Sequence, residues 1–547
     1  MLENTLQKAI LACLEKKGWP SKIEFSIEFP KNNDFGNIST NVAMKLASVV
    51  KNNPIAIAEM IKSELPEQLA GTKLKDVISK IDIKQPGFIN FWFSTTYLQS
   101  VIKEVLSKKL SYGQLKNRGK VHIEFVSANP TGPLTIAHGR QAAFGDSLSR
   151  ILSHAGFKVT KEYLINDEGR QINLLGKSIK VRYLSLLGKN ESLPEDGYQG
   201  EYIVDVAKKI YKKFGLKASE FSDRFFSCFG RDIILKDIKN DLKEFRVLYN
   251  GWISQENLVK KVGFKSILED LEKKNLLYKK DGALWFKSTT YADDKDRVLI
   301  KATGSYTYFL PDILYHKRKF DKKYSFMINI WGPDHHGYIP RIKASIKALG
   351  FDDNRLNVLI AQLVTLYKEG NAISMSTRLG SFITLRELRS EVGIDAARFF
   401  YLTRRRDSHL DFDLDLAKKK STDNPVYYIQ YVHARCASVL DKCPKRIKYS
   451  ITHANLSLLN LNEELELMAK IEQFPYLISA TVQSLEPYRL VEYLIATASI
   501  FHGYYSKHRI ISDDKNLTKA RMALVQSVKT VIQIGLSLLG ISTPNKM

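Results

Sequence analysis

Cysteine is scarce: the 547 residues contain four, Cys13, Cys228, Cys436 and Cys443. No two form a CxxC pair and no histidine cluster accompanies them. Neither a disulfide framework nor a structural zinc site is expected, and a reducing, cytoplasmic setting is the simplest reading. Long apolar runs are missing as well. No uncharged stretch reaches the roughly 20 residues a helix needs to cross a bilayer, so a helical membrane protein is not expected. Repeats of fixed period and low-complexity tracts are absent, which argues against a solenoid or a disordered linker. The opening MLENTLQKAILACLEKKGW carries charges through its apolar positions and reads as an amphipathic helix, not a signal peptide. Acidic residues are in deficit, 58 against 83 lysines and arginines, for a formal net charge of +25. An excess of that size points to a polyanionic partner, nucleic acid above all.

What is present is globular in composition, with 44% hydrophobic and 11% aromatic residues. A chain of this length exceeds one core, so three or four domains are expected. Residues 1 to about 112 read as a small α/β domain. Helical patterns cover Leu2 to Lys17, Ile38 to Lys51 and Pro54 to Leu65, with strand-like stretches at Ile23 to Phe29 and Phe88 to Phe93. A polar, glycine-bearing linker follows. Strand-like runs at Val121 to Val126, Val298 to Lys301, Tyr324 to Trp331 and Asn357 to Leu366 alternate with helices. That alternation predicts a parallel α/β sheet over about 118–366, interrupted by a charged helical insertion at about 175–295. A connecting region spans about 367–422, and from 423 onward helical periodicity alone continues to the C-terminus.

The segment Ile123 to Arg140, IEFVSANPTGPLTIAHGR, holds the most specific local signal. A compact strand runs into Asn129-Pro130-Thr131-Gly132-Pro133, which cannot be helical, and Ala137-His138-Gly139-Arg140 then opens a helix. A strand, tight turn and helix N-terminus present free N–H groups and the positive end of the helix dipole to an anion such as a nucleotide phosphate. Gly139 admits a close ligand, and His138 offers a donor to a phosphate. The same pattern also describes an ordinary βα turn with a surface histidine.

The stretch resembles the signature around the HIGH motif of class I aminoacyl-tRNA synthetases, in the form seen in arginyl-tRNA synthetases, where the loop reads like SANPTGPLHVGHGR. Thr135, Ile136, Ala137 and His138 occupy the HIGH positions, so the first His is Thr and the Gly is Ala. Residues 373 to 378, ISMSTR, resemble the KMSKS loop through Met375 and Ser376. Ser374 and Thr377 replace its two lysines, and Arg378 follows. In class I enzymes the second lysine neutralises pyrophosphate charge. Some arginyl enzymes lack it and carry a lysine just before HIGH, but no lysine stands between Lys120 and Lys158 here. Arg378 and Arg140 are then the candidate local cations. Further matching blocks are YLINDEGRQI (163–172), GALWF (282–286), GSYTYFLPD (304–312), WGPDHHGYIP (331–340), Glu391 to Phe400, Leu410 to Leu416 and Asn424 to Arg435. The resemblance thus covers essentially the whole chain in order.

The resemblance implies a Rossmann-type parallel-sheet catalytic domain, an N-terminal α/β domain and a C-terminal all-α anticodon-binding bundle. It implies an arginine–tRNA ligase using ATP with substrate-bound Mg²⁺, L-arginine and tRNA-Arg, usually monomeric, with no dedicated protein metal site. By the same resemblance, Thr135, His138, Ser376 and Arg378 serve catalysis. Pro130, Ala137, His138, Gly139, Asp334, His335 and Met375 hold ATP, and Glu124, Ser127, Asn129, Tyr308 and Asp312 hold arginine. Phe88 and Asn90 touch the tRNA D-loop, while Tyr428, Tyr431 and Met547 meet the anticodon. The chemistry agrees: a planar guanidinium with five donors calls for a carboxylate fork and flanking planar groups. Asp334 to His336 follow a predicted strand, where α/β ligands bind. The adjacent histidines, on an extended segment, point to opposite faces, which argues against a shared metal. Two alternatives stay open. One is a synthetase-like tRNA-binding protein whose catalysis is weakened or lost with the altered motifs. The other is a small-molecule nucleotidyltransferase.

Overall fold

The computed structural model describes residues 2–30, 33–373, 383–448 and 450–547. The N-terminal domain is an antiparallel sheet of Ile27–Glu28, Ile38–Thr40, β1 (Phe88–Phe93) and Ile78–Lys84, in that order. Helices Val42–Val50 and Pro54–Leu69 pack on this sheet, Leu2–Lys16 packs on Pro54–Leu69, and α1 (Thr95–Lys108) lies against the C-terminal helices Asn462–Glu472 and Lys515–Leu538. The helix expected over Ile38 to Lys51 starts late. Ile38 to Thr40 instead pair with Phe91, Asn90 and Ile89 of β1, where β-branched side chains suit a pleated surface better than a helix.

The central domain is built on a five-stranded, fully parallel sheet. Its strands are β2 (Gly119–Phe125), β3 (Phe157–Ile165), β4 (Gly251–Ser254), β5 (Phe326–Trp331) and β6 (Leu356–Ile360), in spatial order β6-β5-β2-β3-β4. Between β2 and β3 runs α2 (Ile136–His154), and α3 (Phe309–Asp321) precedes β5. The single insertion expected at about 175–295 is corrected by β4, which lies inside that interval. Its four residues pair with Glu162 to Ile165 of β3. Helices Arg170–Leu186, Glu201–Phe214 and Asp223–Glu244 form a first excursion, the sheet resumes, and a second excursion carries a three-stranded antiparallel sheet, Leu277–Lys280, Ala283–Phe286 and Arg297–Ile300. A four-residue strand has no period to read; its edge pairing supplies what its sequence lacks. The single run expected from Asn357 to Leu366 is likewise two strands, β6 and Val364–Lys368, the second paired with Leu410–Asp413 in a separate small sheet.

After Asp413 the described residues contain no strand. Beyond α4 (Ile394–Tyr401), the bundle is built from α5 (Pro425–Lys442), α6 (Asn462–Glu472), α7 (Tyr488–Lys507) and α8 (Lys515–Leu538) among others. Asn424 caps α5 by accepting from the Val426 N–H, and Pro425 takes the first turn, where no N–H is needed. The bundle is bolted to the core through Arg398 on α4, which is fully buried. It donates to the carbonyls of Leu539 and Phe245, both at 2.9 Å, and to Asp146 Oδ2 on α2 at 2.7 Å. The segment after α8 is therefore held against the parallel-sheet domain. Gln430 and His433 of α5 donate to the carbonyls of Ser542 and Pro544.

Candidate active site

The site lies at the carboxyl end of the parallel strands, the usual ligand position in such sheets. At the end of β2 the chain reverses through Val126, whose φ of +69° is unusual for a β-branched residue, and the Ser127 N–H donates back to the Phe125 carbonyl at 3.0 Å. This γ-turn is strained, and strain of that kind is retained where the surroundings over-determine the backbone. It aims Ser127 Oγ at Glu124 Oε1, 3.1 Å away, while the same oxygen accepts the Leu164 N–H. Pro130 is buried inside the following turn.

At the start of α2, His138 Nδ1 accepts the Thr135 N–H at 3.1 Å. An acceptor at Nδ1 puts the ring proton on Nε2, and burial lowers the imidazole pKa to about 4. His138 is therefore a neutral donor, not a cation, at neutral pH. Thr135 Oγ1 also lies 3.1 Å from His138 Nδ1, and Ala137 is half-buried in the first helical turn. Two expectations here are corrected. Gly139 does not offer its open side to a ligand: a Cβ there would meet Tyr401 Oη at 2.6 Å and Leu385 Cδ1 at 2.8 Å, and its N–H is taken by the Thr135 carbonyl. The glycine serves the close packing of α2 on the segment that follows the second motif. Arg140 is not an available phosphate cation. It is 2% exposed and donates to the carbonyls of Gln362, Leu363 and Arg405.

The expected carboxylates converge beneath α3. Glu124 on β2 is buried, with Lys319 Nζ of α3 at 2.5 Å from Oε2. Asp312, one turn into α3, accepts from Tyr338 Oη at 2.6 Å. Burial pushes its carboxyl up to about 7 against that hydrogen bond, with the nearby Glu124 charge adding to the rise. Tyr308 stands just before α3 and is half-exposed, its hydroxyl beside Gly169. The Asn129 amide is engaged on both sides, donating to Gln171 Oε1 and accepting from Asn166 Nδ2 at 2.8 Å. Asp334 and His335 are exposed just past β5, in a short 3₁₀ turn, Pro333–Tyr338. That turn replaces the extended segment on which the opposite-faces argument for His335 and His336 rested. Met375, Ser376 and Arg378 lie outside the described residues. Their flanks do not: Leu385 N–H donates to the Leu134 carbonyl at 2.8 Å, and Thr384 bridges Thr135. The chain leaving the second motif is thereby pinned to the first helical turn of the other.

Residues 3–93 match the family described as "Arginyl tRNA synthetase N terminal domain", residues 101–410 "tRNA synthetases class I (R), catalytic domain", and residues 429–547 "DALR anticodon binding domain". The chain is 44% identical over 529 residues to the arginine–tRNA ligase of Geobacillus kaustophilus, covering 95% of this chain and 94% of that one. The chain belongs to the arginyl-tRNA synthetases. To the Bacillus subtilis arginine–tRNA ligase it is 42% identical over 556 residues, covering 100% and 99%. The Thermus thermophilus arginyl-tRNA synthetase shares the fold over the full length of both chains, with a TM-score of 0.78 at 21% identity.

This arginyl-tRNA synthetase carries two further concave sites, one in each appended domain. In the N-terminal domain a cavity of about 340 Å³ is lined by Phe88, Asn90, Lys84 and Phe35 among others. Phe88 is exposed at its rim. Asn90 is fully buried, and among the described residues neither atom of its amide has a hydrogen-bond partner, an uncommon and costly state for a polar group. In the helical bundle a cavity of about 820 Å³ is lined by Tyr431, Arg435, Tyr505, Arg509 and Met547 among others. The Arg435 guanidinium lies between two rings, 4.4 Å from Tyr431 and 4.6 Å from Tyr505. Tyr428 packs on His502, with ring centres 4.4 Å apart, and Tyr431 stacks on the same imidazole at 5.8 Å. Sequence reasoning missed Lys319, Tyr338 and Gln171. Lys319 was legible in principle: Asp312, His316 and Lys319 stand at i, i+4 and i+7, a polar stripe on a helix with an otherwise apolar core face.

Proposed function

We propose that this synthetase activates L-arginine with MgATP and then charges tRNA-Arg, the reading supported by one feature above all: the chain leaving the second signature is hydrogen-bonded to the start of the first, and the strand leading into that first signature carries Glu124, a buried acid whose charge reaches Asp312. An arginine carboxylate oxygen attacks the α-phosphorus of ATP, and the bond to pyrophosphate breaks, leaving arginyl-adenylate. The ribose hydroxyl at the tRNA 3′ end then attacks the acyl carbon and releases AMP. His138 donates through Nε2–H to a phosphate oxygen, and Thr135 assists at the same turn, with Pro130 and Ala137 against the nucleotide. Ser376 and Arg378 act on the departing pyrophosphate, with Met375 beside the adenine. Asp334 and His335 meet the ribose. Asp312, Glu124 and Tyr308 read the guanidinium, while Ser127 and Asn129 place the α-amino end. Lysine, which cannot satisfy a bidentate fork, is rejected because it leaves buried acceptors unpaired. Phe88 and Asn90 receive an exposed tRNA base in the N-terminal cavity, and Tyr428, Tyr431 and Met547 serve the anticodon. Stacking on aromatic planes and cationic guanidinium groups suits unpaired bases. The enzyme acts as a cytoplasmic monomer.

ATP–pyrophosphate exchange with arginine, run with and without tRNA, tests the proposal. Exchange that requires tRNA is expected. Tight tRNA binding without exchange would favour an RNA-binding protein instead, and exchange independent of tRNA a small-molecule nucleotidyltransferase.

A further inference from the structure

Lys319 is a buried charge with no part in the reaction as derived. It is 1% exposed, and its ammonium lies 2.5 Å from Glu124 Oε2, 2.9 Å from Asn329 Oδ1 and 4.1 Å from the Tyr315 ring centre. The network is fixed in orientation. His316 Nδ1 donates to the Asp312 carbonyl, so its Nε2 accepts from Asn329 Nδ2, both at 2.8 Å, and Asn329 Oδ1 is left to the lysine. Burial keeps His316 neutral. Beneath α3, Glu124 and Glu162 stand opposite one another in the β2–β3 register. Glu162 has its own cations: Arg318 at both oxygens, at 2.8 and 3.2 Å, and Lys322. His122 adds a further hydrogen bond. Lys319 answers Glu124. Asp312 accepts from an uncharged hydroxyl, and the charged groups that face it are Glu124, Lys319 and Arg341. Arg341 lies over the Tyr338 ring, with its guanidinium carbon 4.7 Å from the centre.

We infer that Lys319 is a positioning residue for substrate choice: by neutralising Glu124 it leaves Asp312 as the counter-ion of the arginine guanidinium, so that the pocket calls for one positive charge. The inference rests on the assignment of Glu124 and Asp312 to the arginine pocket. It explains why two buried acids beside one cationic substrate do not leave a surplus negative charge in a low-dielectric floor, which is costly. Glu124 then contributes shape and a hydrogen bond through Oε1, while Asp312 contributes the charge that distinguishes arginine from its neutral isostere citrulline.

The test is calorimetric titration of the full-length enzyme with L-arginine, between pH 5.5 and 8, in buffers of different ionisation enthalpy. Because Asp312 holds a proton in the free enzyme below about pH 7, wild-type binding should release close to one proton at pH 6. Its Kd should rise about tenfold per pH unit below that value. Lys319→Met leaves Glu124 buried without its cation, so release should approach two protons and the Kd slope should steepen. Lys319→Arg should restore release to one. The double variant Glu124→Gln/Lys319→Met, which leaves no unpaired charge, should also give one. Wild-type release of two protons, or a folded Lys319→Met variant still releasing one, overturns the inference. If Lys319→Met does not fold, the wild-type and double-variant values decide it. Asp312→Asn separates the two levels. Arginine binding and proton release unchanged in that variant would sink the pocket assignment itself. Release abolished by Asp312→Asn but unaltered by Lys319→Met sinks the role of Lys319 alone.

Discussion

Replacing Arg398 by Met should loosen the C-terminal segment before it unfolds the protein. Arg398 is fully buried and makes three charge-assisted hydrogen bonds, to Leu539 O, Phe245 O and Asp146 Oδ2. Asp146 survives the substitution with partners in place, Arg150 at 2.7 Å and Lys161 at 3.0 Å, so no naked carboxylate results. The Phe245 carbonyl loses its donor, and the Leu539 carbonyl keeps a weaker 3.3 Å bond from Ser147 Oγ. Unsatisfied buried carbonyls cost about 1–3 kcal/mol each, and a methionine recovers part of the guanidinium's packing. A loss of about 3 kcal/mol follows, at the low end of the range for a broken buried ion pair. The bonds from Gln430 to Ser542 O and from His433 to Pro544 O remain, so the damage should concentrate at 539–541. Native-state hydrogen exchange should show protection of Gly540 and Ile541 amides falling about a hundredfold, at tenfold per 1.4 kcal/mol. Because Met547 lines the bundle cavity a few residues on, the KM for tRNA should rise about tenfold while the Kd for arginine stays within twofold. Exchange protection within threefold of wild type would refute the bolt. Equal losses toward tRNA and arginine would refute its selectivity for the anticodon end.

Other perturbations separate stability from function. Asn90→Leu removes an amide that is buried without a partner among the described residues. It should raise the urea midpoint of the N-terminal domain by the equivalent of about 1–3 kcal/mol and at the same time raise the KM for tRNA. A change of both in the same favourable direction would contradict a nucleobase-facing role. Glu472 on α6 accepts from Tyr97 Oη of α1 at 2.8 Å, and burial raises its carboxyl to about 8. The folded state therefore holds a proton that the unfolded state gives up above its ordinary value near 4.3. Stability is full below that value and falls by about 1.4 kcal/mol per unit as pH climbs towards 8. Glu472→Gln should flatten the slope of the denaturation midpoint between pH 5.5 and 8, and an unchanged slope would place the titration elsewhere. Arg378→Ala should cut ATP–pyrophosphate exchange by orders of magnitude. A rate equal to wild type would remove Arg378 from pyrophosphate neutralisation.

The comparison of sequence with structure divides along a physical line. Local order was legible wherever a few neighbouring residues dictate it. Asn129 to Pro133 cannot be helical, the turn opens α2, Asn424-Pro425 starts α5, and alternation with helices forecasts a parallel sheet. Sequence alone also carried the family resemblance and brought Glu124, Asp312, Ser127 and His138 forward as site residues. Four residues at Gly251–Ser254 were illegible as a strand because their stability comes from the edge of β3, a partner some 90 residues away.

What a side chain faces was decided by tertiary structure alone. Gly139 and Arg140 stand in the same motif as His138. Yet packing on Tyr401 and Leu385 claims the first, and three distant carbonyls claim the second. A motif records chemistry along the chain, whereas partners are assigned by strand register and helix contact. The same holds for Lys319. Its spacing from Asp312 was visible, but only the adjacency of Asn329, Glu124 and Glu162 on three neighbouring strands shows which acid it neutralises. The chain's sequence thus determined most of its elements, its family and the chemical inventory of its site. The fold determined how the charges in that site are paired, because pairing depends on ångström-scale distances between segments that sequence order does not encode.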